Sequence, residues 1–562
     1  MSTLTATVAP AAVNGLPGYN GPWGKAQAAH LLRRSIMGPK RQEILEASTS
    51  GLSATLDKLF APPALPPPPI NHFFTQDPNV AVGKTWVNSP YVAGVDVGKY
   101  RYPSLRGWYV NNLIDSPCTI NERLTLFWIN HFGMAEVSDH RAEYQYIQLF
   151  REFGGASFQT MIEKITVHPA MLYFLNGDWS SKYEPNENYA RELLELFTIQ
   201  KGPQIGEGDY TNYTEQDIRT AARILTGWRT RRLFSRDSGP VDSFFNDQTH
   251  DDETDPRNPN LEPKQLSRHF GNAVIVSNGA DEYKDLIAII FQQPETARAI
   301  CRELYRYFVY SDITSEVEDT VITPLAQFMT ANNFNVAATL RELLGSKHFY
   351  DINVRGPFIK NPYEYYLSIL RPLHGFEHLD LSLANNPNSS QIRTIYNIGT
   401  AYFGWASSAD MDVFTLPTVA GWKAYYQAPN YYRNWIGSAS LQLRRKSVRD
   451  LTYQGIYVQI EGGEYKPRGL GWLEFVERLT IPEDVIEVVQ ECIDIFLPRE
   501  LHPDQFDALK NELLRGQQDR EWTIQWNSYL ASPSNPDITR PLTNNIKSFF
   551  RALFSMAEFH LQ

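Results

Sequence analysis

NENYARELLELFT (186–198) and YTEQDIRTAARILTGW (213–228) decide the fold. In the first stretch Tyr189, Leu193, Leu196 and Phe197 recur at helical spacing. Asn188, Glu192 and Glu195 stand at i, i+4 and i+7 and share the opposite face, with Arg191 at its edge. In the second stretch Thr214, followed by Glu215 and Asp217, is a helix-start signature: a capping hydroxyl with carboxylates facing the helix dipole. Ile218, Ala222 and Leu225 then line an apolar side, beside Arg219 and Arg223 one turn apart. Two amphipathic helices this close predict helix packed on helix.

The same period runs outward. Helices are expected over 27–38, stopped by Gly38-Pro39, and over 40–60. APPALPPPPI (61–70) reads as a polyproline II spacer, and 71–103 as irregular and aromatic. Further helices are expected at 104–114, 120–133, 141–153, 156–166 and 168–176, then at 280–291, 294–309, 315–331, 336–346 and 361–371. Residues 229–264 and 372–400 read as long loops, 401–408 as a short helix, and 452–460 (TYQGIYVQI) as the one convincing strand. Helices at 484–496, 503–514, 520–530 and 541–559 close the pattern. The expected class is all-α: a large multi-helix body with long irregular aromatic loops and at most a small β element. The divisions are a low-complexity tail (1–25), an N-terminal helical segment (26–60), a Pro-rich and irregular connector (61–103), a central helical core (104–371), an aromatic loop region with minor β (372–480) and a C-terminal helical segment (481–562).

Composition narrows the function classes. A chain of 562 residues is long enough for about three or four domains. Lys plus Arg number 52 against 63 Asp plus Glu, a net charge of −11, which argues against phosphate-driven nucleic-acid binding. No apolar run reaches the roughly 18 residues of a membrane helix. Cys118, Cys301 and Cys492 are odd in number and far apart, so neither a disulfide framework nor a thiolate zinc site is expected. Residues 1–25 lack the basic start and apolar run of a secretory signal. Such a tail orders by docking on its own body or on a neighbour, a hint of assembly.

HLLRRSIMGP (30–39), NERLTLFWINHFG (121–133), the two opening stretches, LPTVAGW (416–422), NWIGSASLQLR (434–444) and SMAEFHLQ (555–562) occur in this order. Together they resemble the large bacterial family known as domain of unknown function 1800. That family has no established activity, is mostly helical and is often encoded beside a secreted sulfatase-like family. The resemblance therefore implies a helical body over nearly the whole chain and a sulfatase-like partner. The family's His-Asp-x-Gly-x-Lys element appears here as His250-Asp251 with Lys264 much later, which puts the lysine's role in question. The compartment stays open: the tail favours the cytoplasm, while the family's secreted neighbours favour export with a partner.

The residues leave two readings of the charged cluster. In one, Glu192 and Glu195 pair with Arg191, Arg219 and Arg223 to lock two helices. In the other, the two carboxylates join His131, at the end of WINHF, and His250-Asp251 from the long loop to hold a divalent metal ion. A metal-free site using His131 or a carboxylate as acid or base is a variant of the second. HDDETD (250–255) lacks the spacing and glycine of a calcium loop and reads as a solvated acidic loop. His374-Gly-Phe-Glu377-His378 matches an inverted zincin pattern, but Pro372 and Gly375 work against the continuous helix it needs. Cys118 reads as an ordinary buried thiol. The aromatic stretches 86–109 and 421–435 suit loop packing, a protein interface or glycan binding. The leading expectation is an assembly or accessory protein, homo-oligomeric or bound to a sulfatase-like partner. The alternative is a metal-dependent hydrolase or lyase.

Overall fold

The structure, a computed structural model, describes residues 15–135, 137–254, 262–373 and 391–562. Among these residues helices dominate, and strands pair only in four short two-stranded sheets. The expected all-α class with a small β element is what the chain adopts. No helix is long and apolar enough to cross a membrane among the described residues. Residues 1–14, most of the low-complexity tail, lie outside them.

The chain divides into two units, each assembled from separate stretches: 1–20, 152–231 and 243–350 in one, and 21–151, 232–242 and 351–562 in the other. In the first unit the helices Glu187–Glu195 and Glu215–Ile224 pack together as their apolar stripes require. Tyr189, Leu193, Ile218 and Ala222 are buried, joined by Leu286, Ile287 and Ile290 of the helix Glu282–Ile290. Thr214 caps the second helix as expected. Its Oγ1 accepts the Asp217 N–H at 3.3 Å, while Asp217 Oδ2 accepts the Thr214 N–H at 2.7 Å.

The second unit is built around the helices Gly98–Ile114 and Ile392–Ser408. They cross so closely that a Cβ on Gly107 would lie 2.5 Å from Tyr396 O. A Cβ on Gly399 would likewise overlap the Gly107 carbonyl. Asn111 Nδ2 donates to Ile395 O at 3.2 Å, and Thr400 Oγ1 to Pro103 O at 2.9 Å, across the same crossing. The spacer at 61–70 packs on this pair, with Trp108 Nε1 donating to Pro67 O at 2.6 Å.

Three expectations need correcting. The short helix at 401–408 is the end of a 17-residue helix starting at Ile392, because Gly399 and Gly404 weaken the local signal that tertiary packing restores. Ser438–Tyr453 is a helix where none was expected, since Ser440, Arg444 and Ser447 share its buried face with Val448 and Leu451 and interrupt the apolar pattern. The strand at 452–460 is shortened to Ile456–Gln459 and pairs with Tyr465–Arg468, and further short strands occupy the 229–264 loop. Most large rings of the two aromatic stretches pack inside, in line with the loop-packing reading: Trp86, Trp108, Tyr109, Trp422 and Trp435 are all buried.

Candidate functional site

The arginines near Glu192 choose other carboxylates. Arg191 forks onto Glu215, with Nη1–Oε1 at 2.9 Å and Nη2–Oε2 at 2.7 Å. Arg223 forks onto Asp251 at 2.8 and 3.2 Å and reaches Glu262 O. Arg219 is exposed and forms no ion pair among the described residues. Glu195 accepts the Tyr213 hydroxyl at 2.8 Å and lies 3.7 Å from Lys201. Glu192 is half-buried without a hydrogen-bond partner among the described residues. Burial, then the charge of Glu195, raises its carboxyl above the usual range, against Arg191.

His250 and Asp251 belong to a different, buried network. His250 Nε2 lies 2.7 Å from Glu282 Oε2, and Nδ1 lies 2.9 Å from Thr226 O. The other Glu282 oxygen accepts Lys264 Nζ at 2.6 Å. Lys264 also lies 3.0 Å from Ser277 Oγ and 3.2 Å from Glu253. The late lysine thus returns to the histidine through one shared carboxylate. Burial pushes Glu253 up, but hydrogen bonds from the Ser277 hydroxyl and amide outweigh it and hold the carboxyl at about 2. Of the acids in 250–254, Asp251 and Glu253 are engaged within the fold, while Asp252 accepts only from Thr254 of its own exposed turn; Asp255 lies outside the described residues.

His131 sits in the second unit, at the end of the helix Asn121–Phe132, with Phe127 stacked 5.9 Å away and Trp128 and Phe132 edge-on. Among the described residues no group of three or more His, Cys, Asp or Glu side chains is placed to hold a metal ion. His374 to His378 fall outside the described residues. Cys118 is buried, and burial, helped by Glu43, pushes its thiol up to about 12.

The helix end that carries His131 also anchors the loop that carries Trp422. Asn130 Oδ1 accepts the Trp422 N–H at 2.9 Å. Gly421, at φ +86°, brings the 416–422 loop so near that a Cβ would lie 2.5 Å from that same oxygen. Behind this clamp lies a cavity of about 460 Å³, lined by Asp410, Asp412, Trp422, Lys423, Asn434 and Trp435 among others. Asp412 is held by the Phe414 N–H at 2.9 Å and the Ser407 hydroxyl at 3.1 Å. The sequence marked 421–435 as aromatic, suited to loop packing, a protein interface or glycan binding. Two indoles flanking KAYYQAPNYYRN (423–434), with its single Pro429, were the available signal.

The fold and these sites define a two-unit helical protein with a buried His–Glu–Lys network in one unit and a polar-aromatic cavity in the other. Residues 30–560 match the family described as a protein of unknown function, DUF1800, and the chain belongs to that family. No curated protein and no solved structure matches it.

Proposed function

We propose that this chain is an assembly or accessory protein that binds a second copy of itself or a sulfatase-like partner. The observation that carries the reading is the outer face of the hairpin Ile456–Gln459/Tyr465–Arg468. Its register puts Tyr457, Gln459, Tyr465 and Pro467 on one side. Ile456 and Val458, on the other, are buried. Asn397 Nδ2 donates to Gln459 O at 2.6 Å and ties the hairpin to the helix Ile392–Ser408. Tyr457 and Tyr465 are 53% and 69% exposed. Tyrosines fixed on a rigid hairpin supply contact area at low entropic cost, the composition of interface centres.

Light scattering on the native protein and on a Tyr457→Ser/Tyr465→Ser variant tests self-association. The expected result is a mass above 64.3 kDa that falls toward that value in the variant. The second arm measures binding of the same two proteins to a purified sulfatase-like partner. A monomer that also ignores that partner overturns the reading.

The metal-dependent hydrolase or lyase reading draws on Glu192, a half-buried carboxyl with a raised pKa next to Glu195. It is weakened by the engagement of His250 with Glu282 and of Asp251 with Arg223. Metal analysis of the purified protein, with a Glu192→Gln/Glu195→Gln variant as control, tests it.

A further inference from the structure

We infer that the cleft where the helix Lys25–Ser35 meets Arg355 and the segment 493–500 binds a doubly charged tetrahedral oxyanion, a phosphate or sulfate group, independently of the assembly surface. The cleft lies within the second unit, and four cations line it: Lys25, Arg33, Arg355 and Arg499. None of the four forms an ion pair among the described residues. Asp494 and Glu500 are the carboxylates in the lining, so four positive charges face two negative ones and two are left over.

Each guanidinium spends part of its fork on the fold and keeps the rest. Arg33 is 6% exposed, and its Nη2 donates to Asp494 O at 2.6 Å and Ile495 O at 3.0 Å, at the end of the helix Val485–Phe496. Its Nε and Nη1 have no hydrogen-bond partner among the described residues, yet neither is sealed from solvent. Arg33 lines the cleft and is otherwise enclosed, so these donors look into it. Arg355 donates from Nε to Pro498 O at 3.3 Å and keeps Nη1 and Nη2. Arg499 donates from Nε and Nη2 to Arg355 O at 3.0 and 2.6 Å and keeps Nη1. The carbonyl bonds fix where the forks stand, and the unspent edges suit the oxygens of an anion. Burial, then the charge of Arg355, pushes the Arg33 guanidinium down to about 9, against Asp494. It stays protonated at neutral pH beside a like charge, an arrangement that a bound anion relieves.

Charge and size select the ligand. A cation would meet four like charges, and a neutral polar molecule would leave the excess in place. A single carboxylate would cancel half of it. A divalent phosphate or sulfate cancels all of it and offers oxygens to several forks at once. The volume, about 170 Å³, is below the range of drug-sized sites, so the cleft takes the ionic group alone. Lys25 and Arg499 are exposed, which lets the organic part of an ester stay in solvent. The first turn of the helix Lys25–Ser35, which has no side-chain cap from Gly24, borders the same space and adds the positive end of its dipole.

The test uses the full chain. Equilibrium dialysis with radiolabelled phosphate and sulfate, and calorimetric titration with their sodium salts, are run in chloride at constant ionic strength. Phosphoserine and sulfotyrosine stand for ester-borne groups, and acetate and lysine are monovalent controls. The expected result is saturable binding of phosphate, sulfate or one of the esters. Affinity should fall about tenfold or more in Arg355→Gln, which loses a charge-assisted fork, and about threefold in Lys25→Gln. Lys25 is exposed and makes no side-chain hydrogen bond among the described residues, so its variant stays informative if Arg355→Gln fails to fold. Binding of the free ions supports the inference with an inorganic ligand, and binding of the esters alone supports it with a larger molecule. No saturable binding of any divalent probe, undiminished binding by both variants, or acetate bound as tightly as phosphate and sulfate would overturn it.

Discussion

Lys264 Nζ lies 2.6 Å from Glu282 Oε1, and neither side chain has any exposed surface. The other Glu282 oxygen is taken by His250, so a single carboxylate joins a lysine and a histidine that stand well apart in the sequence. A buried carboxylate shared by two such partners is costly to leave half-made, because what remains is an uncompensated charge.

Truncation of Glu282 is therefore expected to be severe. Glu282→Ala should lose roughly 3–5 kcal/mol in urea unfolding, since it takes the carboxylate from His250 and leaves the buried Lys264 with only Glu253 and Ser277. Glu192→Ala, at a carboxyl without a hydrogen-bond partner among the described residues, should change stability by no more than about 0.5–1 kcal/mol. The opposite ranking would mean that the charged centre of the first unit lies on the Glu187–Glu195 helix.

Acid sensitivity should trace partly to His72. Its ring is buried and stacked 4.9 Å from Tyr396. Burial, then the charge of Arg393, lowers its pKa from 6.5 to about 3. The unfolded chain accepts a proton near pH 6.5 that the folded chain takes only near 3. Stability is thus unaffected by this group above pH 6.5 and declines as pH falls from 6.5 toward 3. His560, also lowered to about 3, acts in the same direction. His72→Phe should flatten the fall in melting temperature between these pH values without abolishing it; an unchanged slope would contradict the assignment.

Gly399 and Gly404 on one helix should respond oppositely to the same change. A Cβ at Gly399 collides with the Gly107 carbonyl, whereas at Gly404 it meets nothing within 4 Å. Gly399→Ala is expected to cost about 1–3 kcal/mol or more through overpacking. Gly404→Ala should be neutral or stabilise by up to about 1 kcal/mol, as alanine suits a helix better. Thermal unfolding of the two variants side by side checks the close crossing.

The thiols should be silent in the native state. All three cysteines are buried, and that of Cys118 is pushed up to about 12. Ellman's reagent at pH 8 should label them slowly when the protein is native and label three at once in denaturant. A fast native thiol would show that one of these sites opens.

The helix pair of 186–228 was legible because its apolar residues keep a period of 3.6 and Thr214 marks a start. Ser438–Tyr453 was not, because Arg444 and two serines on its buried face break up the apolar stripe to which Val448 and Leu451 belong. His250 and Asp251 could be flagged as chemically loaded, but their partners lie too far along the chain: Glu282 is 32 residues from His250 and Arg223 is 28 from Asp251. Glu192 was marked for the same reason as Arg191, a shared helix face. Which carboxylate an arginine selects depends on the facing helix, and spacing along one helix is silent on that. The two indoles of the cavity were visible as aromatic content, while their burial is a property of packing alone.

Asn111 bonds to Ile395, which is 284 residues further along the chain. At a synthesis rate of about 5–20 residues per second, the helix Gly98–Ile114 emerges from the ribosome on the order of tens of seconds before the helix it must cross. During that interval its buried tryptophan, tyrosine and leucine side chains have no lasting cover, and the intervening stretch forms most of the first unit. The second unit can close only when the late segment arrives, so its early helices are natural clients for a holding chaperone, and contiguous fragments cut from either part of the chain would lack half of a core.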